Sequence, residues 1–218
     1  MKKAAVMVIL LIIGAITALA LVLYIWLWML SPGKAQPIYG PDGKPLEGSI
    51  SVIEKISLGG ADQYIIIRGA DATKPVMLFL HGGPGNPEVA FMKHFNTDIE
   101  NDFVMVYWEQ RGAGKSYSKD IPAESMNLQQ FVSDTRELSV YLSERFNQDR
   151  IFIMGHSWGS LLGIMTAYKY PELFRAYFGI GQVADQFRGE QVSLEWVKDQ
   201  ALALNDTKAN EALAKLSF

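Results

Sequence analysis

The chain has 218 residues, of which 49% are hydrophobic, and its formal net charge at pH 7 is −3. This length and composition suit one buried core with an appendage. The slight acidity argues against binding to the phosphates of a nucleic acid, so we expect no nucleic acid partner. The chain has no cysteine and three histidines without metal-ligand spacing, which excludes disulfides and thiol catalysis, and we predict no metal and no cofactor.

The first 30 residues predict a transmembrane signal anchor. Lys2 and Lys3 precede an uncharged apolar run at 4–30, which as a helix is about 40 Å long and exceeds a hydrocarbon core of about 30 Å. Secretory signals have apolar cores of roughly 7–15 residues and a small-residue cleavage site. Here the run ends instead in an aromatic stretch at 24–28, typical of a membrane interface. These features favour an uncleaved anchor over a cleaved signal.

The charges around this run predict its orientation. A basic N-terminus favours the cytoplasmic side, so we expect a single-pass protein whose remaining residues lie outside the cytoplasm. Residues 31–47 are rich in proline and glycine, which is typical of a linker.

Beyond residue 47, strands and helices alternate. Runs at 51–58 and 63–68 predict a hairpin, and Asn127 with Gln130 three residues later predicts the start of a helix through a variant capping box. Strands separated by helices predict a doubly wound, mostly parallel sheet in an α/β fold. Four apolar runs predict further strands of that sheet, at 75–80, 103–108, 150–154 and 176–180.

The segment Gly155-His156-Ser157-Trp158-Gly159 lies between a predicted strand and a helix-forming run. A G-x-S-x-G sequence in this context forms a sharp turn that lifts the serine hydroxyl out of the sheet. Ser157 is therefore the candidate nucleophile, in strained backbone. Gly155 and Gly159 are expected because the strand and the helix approach too closely for a Cβ atom.

Two further loops follow predicted strands. Consecutive glycines in the loop 81–85 free backbone N–H groups that can stabilise an oxyanion, together with the amide of Trp158.

The loop 109–116 lacks the G-x-x-x-x-G-K-[ST] pattern of a phosphate loop. We expect Glu109 and Arg111 to brace the loops around the site through charge-assisted hydrogen bonds.

At these three sites the sequence resembles the α/β-hydrolase superfamily and, within it, the prolyl iminopeptidase-like serine peptidases. The resemblance extends over about 51–182 and rests on H-G-G-P-G at 81–85, E-Q-R-G-A-G-K-S at 109–116 and G-H-S-W-G-S at 155–160. It implies an α/β-hydrolase fold and a serine peptidase activity, with Glu109 replacing the usual aspartate. It further implies that Ser157 is the nucleophile and that Gly83 and Trp158 supply the oxyanion amides. Arg111 would belong to the structural loop.

The resemblance also implies that part of the catalytic apparatus is missing. The acid, the histidine and the amine-recognising glutamates of the cap all follow the serine by more residues than this chain has. We therefore expect 48–183 to form the N-terminal part of the hydrolase core and 184–218 the start of a helical cap. Without acid and base, such an enzyme loses about 10⁴–10⁶ in rate, so the chain alone is expected to be nearly inactive.

The histidines present are interpreted as structural. His156 should point away from its neighbour Ser157, His81 should order the oxyanion loop with Gly82 and Gly85, and His94 should face solvent. Asp185 follows the last predicted strand, where some α/β-hydrolases place the acid, and it is kept as an acid candidate.

The favoured function is a membrane-anchored serine hydrolase that removes the N-terminal residue of a small peptide by acyl transfer. Because G-x-S-x-G does not fix the leaving group, an esterase or amidase acting on another small acyl substrate stays open. A non-catalytic, membrane-tethered binding protein is the third alternative. Against it stand the unpaired sheet edge that half a fold would expose and the intact G-x-S-x-G turn at 155–159, which we call the elbow.

Overall fold

The computed structural model describes residues 2–30 and 35–216, with side chains at 6–29 and 35–216. The predicted linker therefore lies outside the described residues at 31–34. The helices and strands follow the chain in the order α1 Lys2–Leu30, β1 Ile50–Leu58, β2 Ala61–Gly69, β3 Val76–Leu80, α2 Val89–Phe95, β4 Val104–Glu109, α3 Leu128–Arg145, β5 Ile151–His156, α4 Trp158–Lys169, β6 Phe174–Ile180, α5 Gln186–Ala203 and α6 Thr207–Leu213.

Helix α1 does not pack on the rest of the chain. Its segment Val6–Met29 has a mean hydropathy of 3.1 and none of it is buried. At 1.5 Å per residue this segment is about 36 Å long, sufficient to cross a hydrocarbon core. Length and composition thus make it a candidate membrane span.

Gln36, in the predicted linker, is attached to the sheet through Arg68. Arg68 Nη1 donates hydrogen bonds to Gln36 O (2.8 Å) and to Ser51 Oγ (2.7 Å). The same guanidinium forms a buried ion pair with Glu100, with 2.9 Å between Nε and Oε1. Gln36 is therefore held against β1 and β2.

Six strands form one mixed sheet in the order β1-β2-β4-β3-β5-β6. The pairs β1–β2 and β2–β4 are antiparallel, whereas β4–β3, β3–β5 and β5–β6 are parallel. The predicted hairpin and the predicted mostly parallel sheet are thus both present. Strand β6 starts at Phe174, two residues earlier than the apolar run at 176–180 indicates.

Helices cover both faces of this sheet. On one face α3 and α4 pack over a large apolar cluster that includes Trp108, Leu138 and Ile153. On the other face α2 packs over a smaller cluster that includes Met77 and Phe79. Continuous apolar strands such as β3 are buried on both faces, as expected for parallel strands between helical layers.

Helix α3 begins at the predicted residue, but only half of the capping box forms. Asn127 Oδ1 accepts a hydrogen bond from Gln130 N at 2.9 Å. The Gln130 side chain does not return to Asn127 and instead donates to Asp134 Oδ1 at 2.7 Å. The reciprocal bond of the box, from Asn127 N to the Gln130 side-chain oxygen, was wrongly predicted, because the Gln130 side chain is turned toward the buried Asp134 carboxylate one turn away.

The chain reverses its direction of travel across the sheet at β3. It passes from β3 to β4 on one side and then crosses to β5 on the other. The carboxyl ends of such strands leave a crevice at the switch point. The loops after β3, β4 and β5, which carry the three motifs, all open at this edge.

Candidate active site

Ser157 lies at the apex of the turn between β5 and α4, with φ 51° and ψ −117°. This conformation is strained for a residue with a side chain, and such strain is concentrated at functional sites. Ser157 N donates to Ile180 O at 2.9 Å, and Ser160 N donates to Ser157 O at 2.8 Å. These bonds fix the backbone on both sides of the serine hydroxyl.

Gly155 and Gly159 allow the close approach that the turn requires. A Cβ atom on Gly155 would lie 2.2 Å from Gly159 O, and one on Gly159 would lie 2.0 Å from Leu80 O. Both distances are far inside van der Waals contact. The second one involves the neighbouring strand β3, so Gly159 also lets α4 pack against the oxyanion loop.

The loop 81–85 lies directly beside Ser157. A methyl group placed on Gly82 would be 3.3 Å from Ser157 Cβ. Gly83 has φ 114°, a conformation that favours glycine. The amide of Trp158 belongs to the first turn of α4, where N–H groups have no partner within the helix. The predicted oxyanion donors thus come from two backbone segments that flank the serine.

Gln110 connects these two segments. Its Nε2 donates to His81 O at 3.0 Å, and its Oε1 accepts from Trp158 Nε1 at 3.1 Å. Gln110 is 1% exposed. One buried amide side chain therefore joins the oxyanion loop to the residue after the candidate nucleophile.

His81 is engaged through both ring nitrogens. Nε2 lies 3.2 Å from Gln110 N, which can only donate, and Nδ1 lies 2.8 Å from Gly82 O, which can only accept. These partners select the neutral tautomer with the proton on Nδ1. Burial lowers the pKa of His81, and the bond to Gly82 opposes this shift. The ring is therefore arranged to order the loop.

Glu109 and Arg111 hold the loop after β4. Arg111 Nη2 donates to Leu58 O at 3.0 Å and to Gly59 O at 2.9 Å, and its Nε pairs with Asp134. Glu109 Oε2 accepts from Lys115 N. Both side chains are buried and bonded to backbone, as bracing residues would be.

His156 is paired with a residue that the sequence analysis did not single out. Its Nδ1 lies 2.7 Å from Glu88 Oε1, with the His156 side chain 41% exposed and the Glu88 side chain 13% exposed. Among the described residues, none forms a hydrogen bond with the Ser157 hydroxyl, and His156 is no exception. The structure thus places His156 beside Ser157 without bonding the two side chains.

The other two titratable candidates lie elsewhere. Asp185 is exposed and caps α5, where its Oδ1 accepts from Arg188 N at 3.0 Å. His94 is exposed on α2 and packs edge-on against Phe95, with ring centroids 4.5 Å apart. Neither is bonded to Ser157 or to its loops. Within residues 2–30 and 35–216 no cluster of His, Asp and Glu has the make-up of a metal site.

A pocket of about 430 Å³ opens next to the elbow. Its walls include the apolar side chains of Phe91, Met92 and Ile180, and its polar lining includes Glu88 and His156. Pockets for small molecules have this size and this mainly apolar character. We refer to it as the Glu88 pocket.

Two residues of the site were missed by sequence reasoning. Gln110 lies in the motif at 109–116, so the sequence drew attention to its position. It did not indicate that the Gln110 side chain bridges His81 and Trp158. Glu88 carried no signal, because nothing local indicates that its side chain meets a residue 68 positions later.

Known proteins similar to this chain are hydrolases. Over 155 residues it is 36% identical to the probable aminopeptidase YbaC of Bacillus subtilis, covering 71% of this chain and 49% of that protein. Over 123 residues it is 30% identical to the proline iminopeptidase of Lactobacillus crispatus, covering 56% and 40%. The chain thus spans half or less of the length of these curated relatives.

Solved structures share the fold. A proline iminopeptidase-related protein from Thermus thermophilus superposes with a TM-score of 0.51 at 23% identity, covering 60% of this chain and 44% of that one. A 2-hydroxy-6-oxo-6-phenylhexa-2,4-dienoate hydrolase from Rhodococcus also has a TM-score of 0.51, at 22% identity, covering 62% and 47%. At this identity the likeness concerns the fold alone.

The family model for the alpha/beta hydrolase fold matches residues 75–216, well over half of the chain. The match includes β3 to β6, the elbow and the oxyanion loop. The predicted fold class and the predicted relationship to prolyl iminopeptidases are both confirmed. This chain belongs to the alpha/beta hydrolase fold family.

Proposed function

We propose that this chain is the nucleophile-bearing part of a membrane-anchored serine aminopeptidase of the prolyl iminopeptidase type. The observation that carries the proposal is the strained Ser157, held at the switch point of the sheet next to Gly82 and the first turn of α4. A serine in this setting attacks a carbonyl carbon. The amides of Gly83 and Trp158 then stabilise the oxyanion.

The choice of an aminopeptidase rests on the relatives. A probable aminopeptidase and several proline iminopeptidases are similar to this chain over 100 to 155 residues. The substrate would be a short peptide with a free N-terminus, and the products would be its first residue and the shortened peptide. An esterase or amidase acting on another small substrate uses the same elbow, so the experiment below includes an ester.

The proton transfer in this proposal requires a histidine and an acid from outside the described residues. His81 has both nitrogens occupied, and His156 is not bonded to Ser157. We infer that the described residues by themselves react slowly, because none of them supplies the base to Ser157.

Membrane anchoring is supported by the apolar segment Val6–Met29. We infer that it crosses the membrane once with the N-terminus in the cytoplasm, because Lys2 and Lys3 precede it. The hydrolase portion then works outside the cytoplasm.

A fluorophosphonate probe tests the nucleophile. The protein expressed from its complete gene should be labelled at Ser157, and S157A should lose the label. The unmodified protein should also release p-nitroaniline from aminoacyl p-nitroanilides, and S157A should not. Labelling without any aminoacyl hydrolysis, but with hydrolysis of p-nitrophenyl esters, would favour the esterase alternative.

The same probe tests the inferred lack of a base. The 218-residue chain should react with the fluorophosphonate much more slowly than the protein from the complete gene. Stoichiometric labelling of the short chain at an equal rate would contradict the inference. Failure of both forms to react would favour the non-catalytic alternative.

A further inference from the structure

The pair Glu88–His156 lies beside the nucleophile and has no task in the acyl transfer described above. The carboxylate of Glu88 is mostly buried, and its Oε1 lies 2.7 Å from His156 Nδ1. Glu88 also stands at the N-cap position of α2, yet its side chain makes no capping hydrogen bond. The carboxylate is therefore held in place by His156 and is turned toward the Glu88 pocket, which it lines.

The second carboxylate oxygen is available for a ligand. No described residue donates a hydrogen bond to Oε2 of Glu88. This oxygen is also not sealed from solvent, because the one buried side-chain oxygen or nitrogen without a partner in the described part of the chain is Ser143 Oγ. The carboxylate can only accept hydrogen bonds, so His156 Nδ1 donates to Oε1 and leaves Oε2 for a donor of the ligand.

The pocket around this charge favours a cation with an apolar body. Its remaining walls are aromatic, aliphatic or amide side chains, and no lysine or arginine lines it. The apolar walls lower the local dielectric, so the Coulomb attraction between this carboxylate and a bound cation is stronger there than in bulk solvent. An anionic ligand would meet only repulsion.

Glu88 and Ser157 both lie close to Gly82. A methyl group on Gly82 would lie 3.2 Å from Glu88 Oε1 and 3.3 Å from Ser157 Cβ. The carboxylate and the serine therefore flank the same glycine. In a peptide, the α-nitrogen is two bonds, or about 2.5 Å, from the carbonyl carbon of its own residue. An anion at Glu88 can thus bind the ammonium group while Ser157 attacks that carbonyl.

We propose that Glu88 binds the α-ammonium group of the substrate, with the first side chain in the Glu88 pocket. The inference rests on the proposed aminopeptidase function and names the group that selects a free N-terminus. It adds a recognition site within the N-terminal part of the core, separate from the glutamates that the resemblance assigns to the cap. His156 is the positioning residue that orients the carboxylate.

Two esters that differ only in the ammonium group test this proposal. The protein expressed from its complete gene is assayed with L-alanine p-nitrophenyl ester and with p-nitrophenyl propionate. Glu88→Gln keeps an oxygen that accepts from His156 and removes only the charge. We expect kcat/KM for the alanine ester to fall about 10- to 100-fold, the range of a hydrogen bond to a charged group. The propionate ester should stay within about two-fold of the parent.

The exposed Glu124 provides the matched control, because Glu124→Gln makes the same change of charge away from the site. This variant should leave both esters unchanged. Equal losses on both esters in Glu88→Gln would show that Glu88 only positions the elbow, and the proposal would be wrong. An unchanged alanine ester rate would place amine recognition elsewhere. A parent protein that does not prefer the alanine ester would instead refute the aminopeptidase function.

Ligand binding provides a second measurement that needs no turnover. Saturation-transfer NMR on the same protein in nanodiscs should detect L-alaninamide more strongly than propionamide. Glu88→Gln should remove this difference, and Glu124→Gln should not. Equal binding of the two amides by the parent protein would overturn the proposal even if hydrolysis is too slow to measure.

Discussion

Arg111 and Asp134 form an ion pair in which neither side chain is more than 1% exposed, with 2.9 Å between Nε and Oδ2. The carboxylate also accepts from Gln63 Nε2 at 2.8 Å and from Gln130 Nε2 at 2.7 Å. The guanidinium donates to two carbonyls at the β1–β2 turn. This network connects the loop after β4, helix α3 and the first hairpin.

Removing one partner of this pair should be strongly destabilising. Asp134→Asn leaves the Arg111 charge buried without its counter-ion, and we expect the free energy of unfolding to fall by about 3–5 kcal/mol. Urea denaturation followed by tryptophan fluorescence measures this change.

The exposed pair Lys55–Asp62 provides the control, since its side chains are 54% and 64% exposed at a similar distance of 2.8 Å. Solvent screens such a pair, so Asp62→Asn should leave the stability unchanged within error. If both substitutions had the same small effect, the buried network would not contribute to stability in the way described.

Gln110 should matter for turnover more than for substrate binding. Gln110→Ala removes the bridge between His81 O and Trp158 Nε1, so the oxyanion amides lose their fixed spacing. Donors of this kind act mainly in the transition state. We expect kcat to fall about 10- to 100-fold while KM changes by less than about three-fold.

Steady-state kinetics with an aminoacyl p-nitroanilide, on the protein expressed from its complete gene, measures both constants. Gln110→Glu is the informative companion, because it still accepts from Trp158 but cannot donate to His81 O. Its kcat should therefore lie between that of the parent protein and that of Gln110→Ala. A variant that raises KM and leaves kcat intact would show that Gln110 contacts substrate instead.

Gly159 and Gly189 are both helical glycines but should respond oppositely to alanine. A Cβ on Gly159 would lie 2.0 Å from Leu80 O, whereas one on Gly189 meets nothing within 4 Å. Gly159→Ala should therefore separate α4 from β3 and prevent stable folding. Gly189→Ala should stabilise α5 by about 0.5–1 kcal/mol. Thermal unfolding by circular dichroism compares them, and a folded Gly159→Ala of parental stability would contradict the elbow geometry.

The sequence predicted those features that depend on local pattern. Apolar runs of strand length located β3 to β6, and G-x-S-x-G located the turn at Ser157 because close approach there requires Gly155 and Gly159. Asn127 marked the start of α3 because its side chain bonds a backbone amide three residues later.

Features that depend on side chains meeting across the fold could not be predicted in this way. The pair Glu88–His156 joins the loop after β3 to the end of β5, and Gln110 joins the loop after β4 to both His81 and Trp158. Their contacts follow from the strand order, which places the ends of β3, β4 and β5 side by side. The strand order is a tertiary property that no local run encodes.

The buried state of His81 makes stability depend on pH. Burial lowers the pKa of His81 in the folded chain below that of an ordinary histidine, which is about 6.5 when unfolded. Above this value both states are neutral at His81 and stability is unaffected. As the pH falls below about 6.5, the unfolded state takes up a proton that the folded state does not, so folding stability decreases.

The urea concentration at the midpoint of unfolding should therefore fall as the pH is lowered from about 7.5 to about 5. His81→Gln should lower the midpoint at the upper end of this range and flatten the dependence at the lower end. Parallel slopes in the parent and in His81→Gln would assign the pH dependence to other groups.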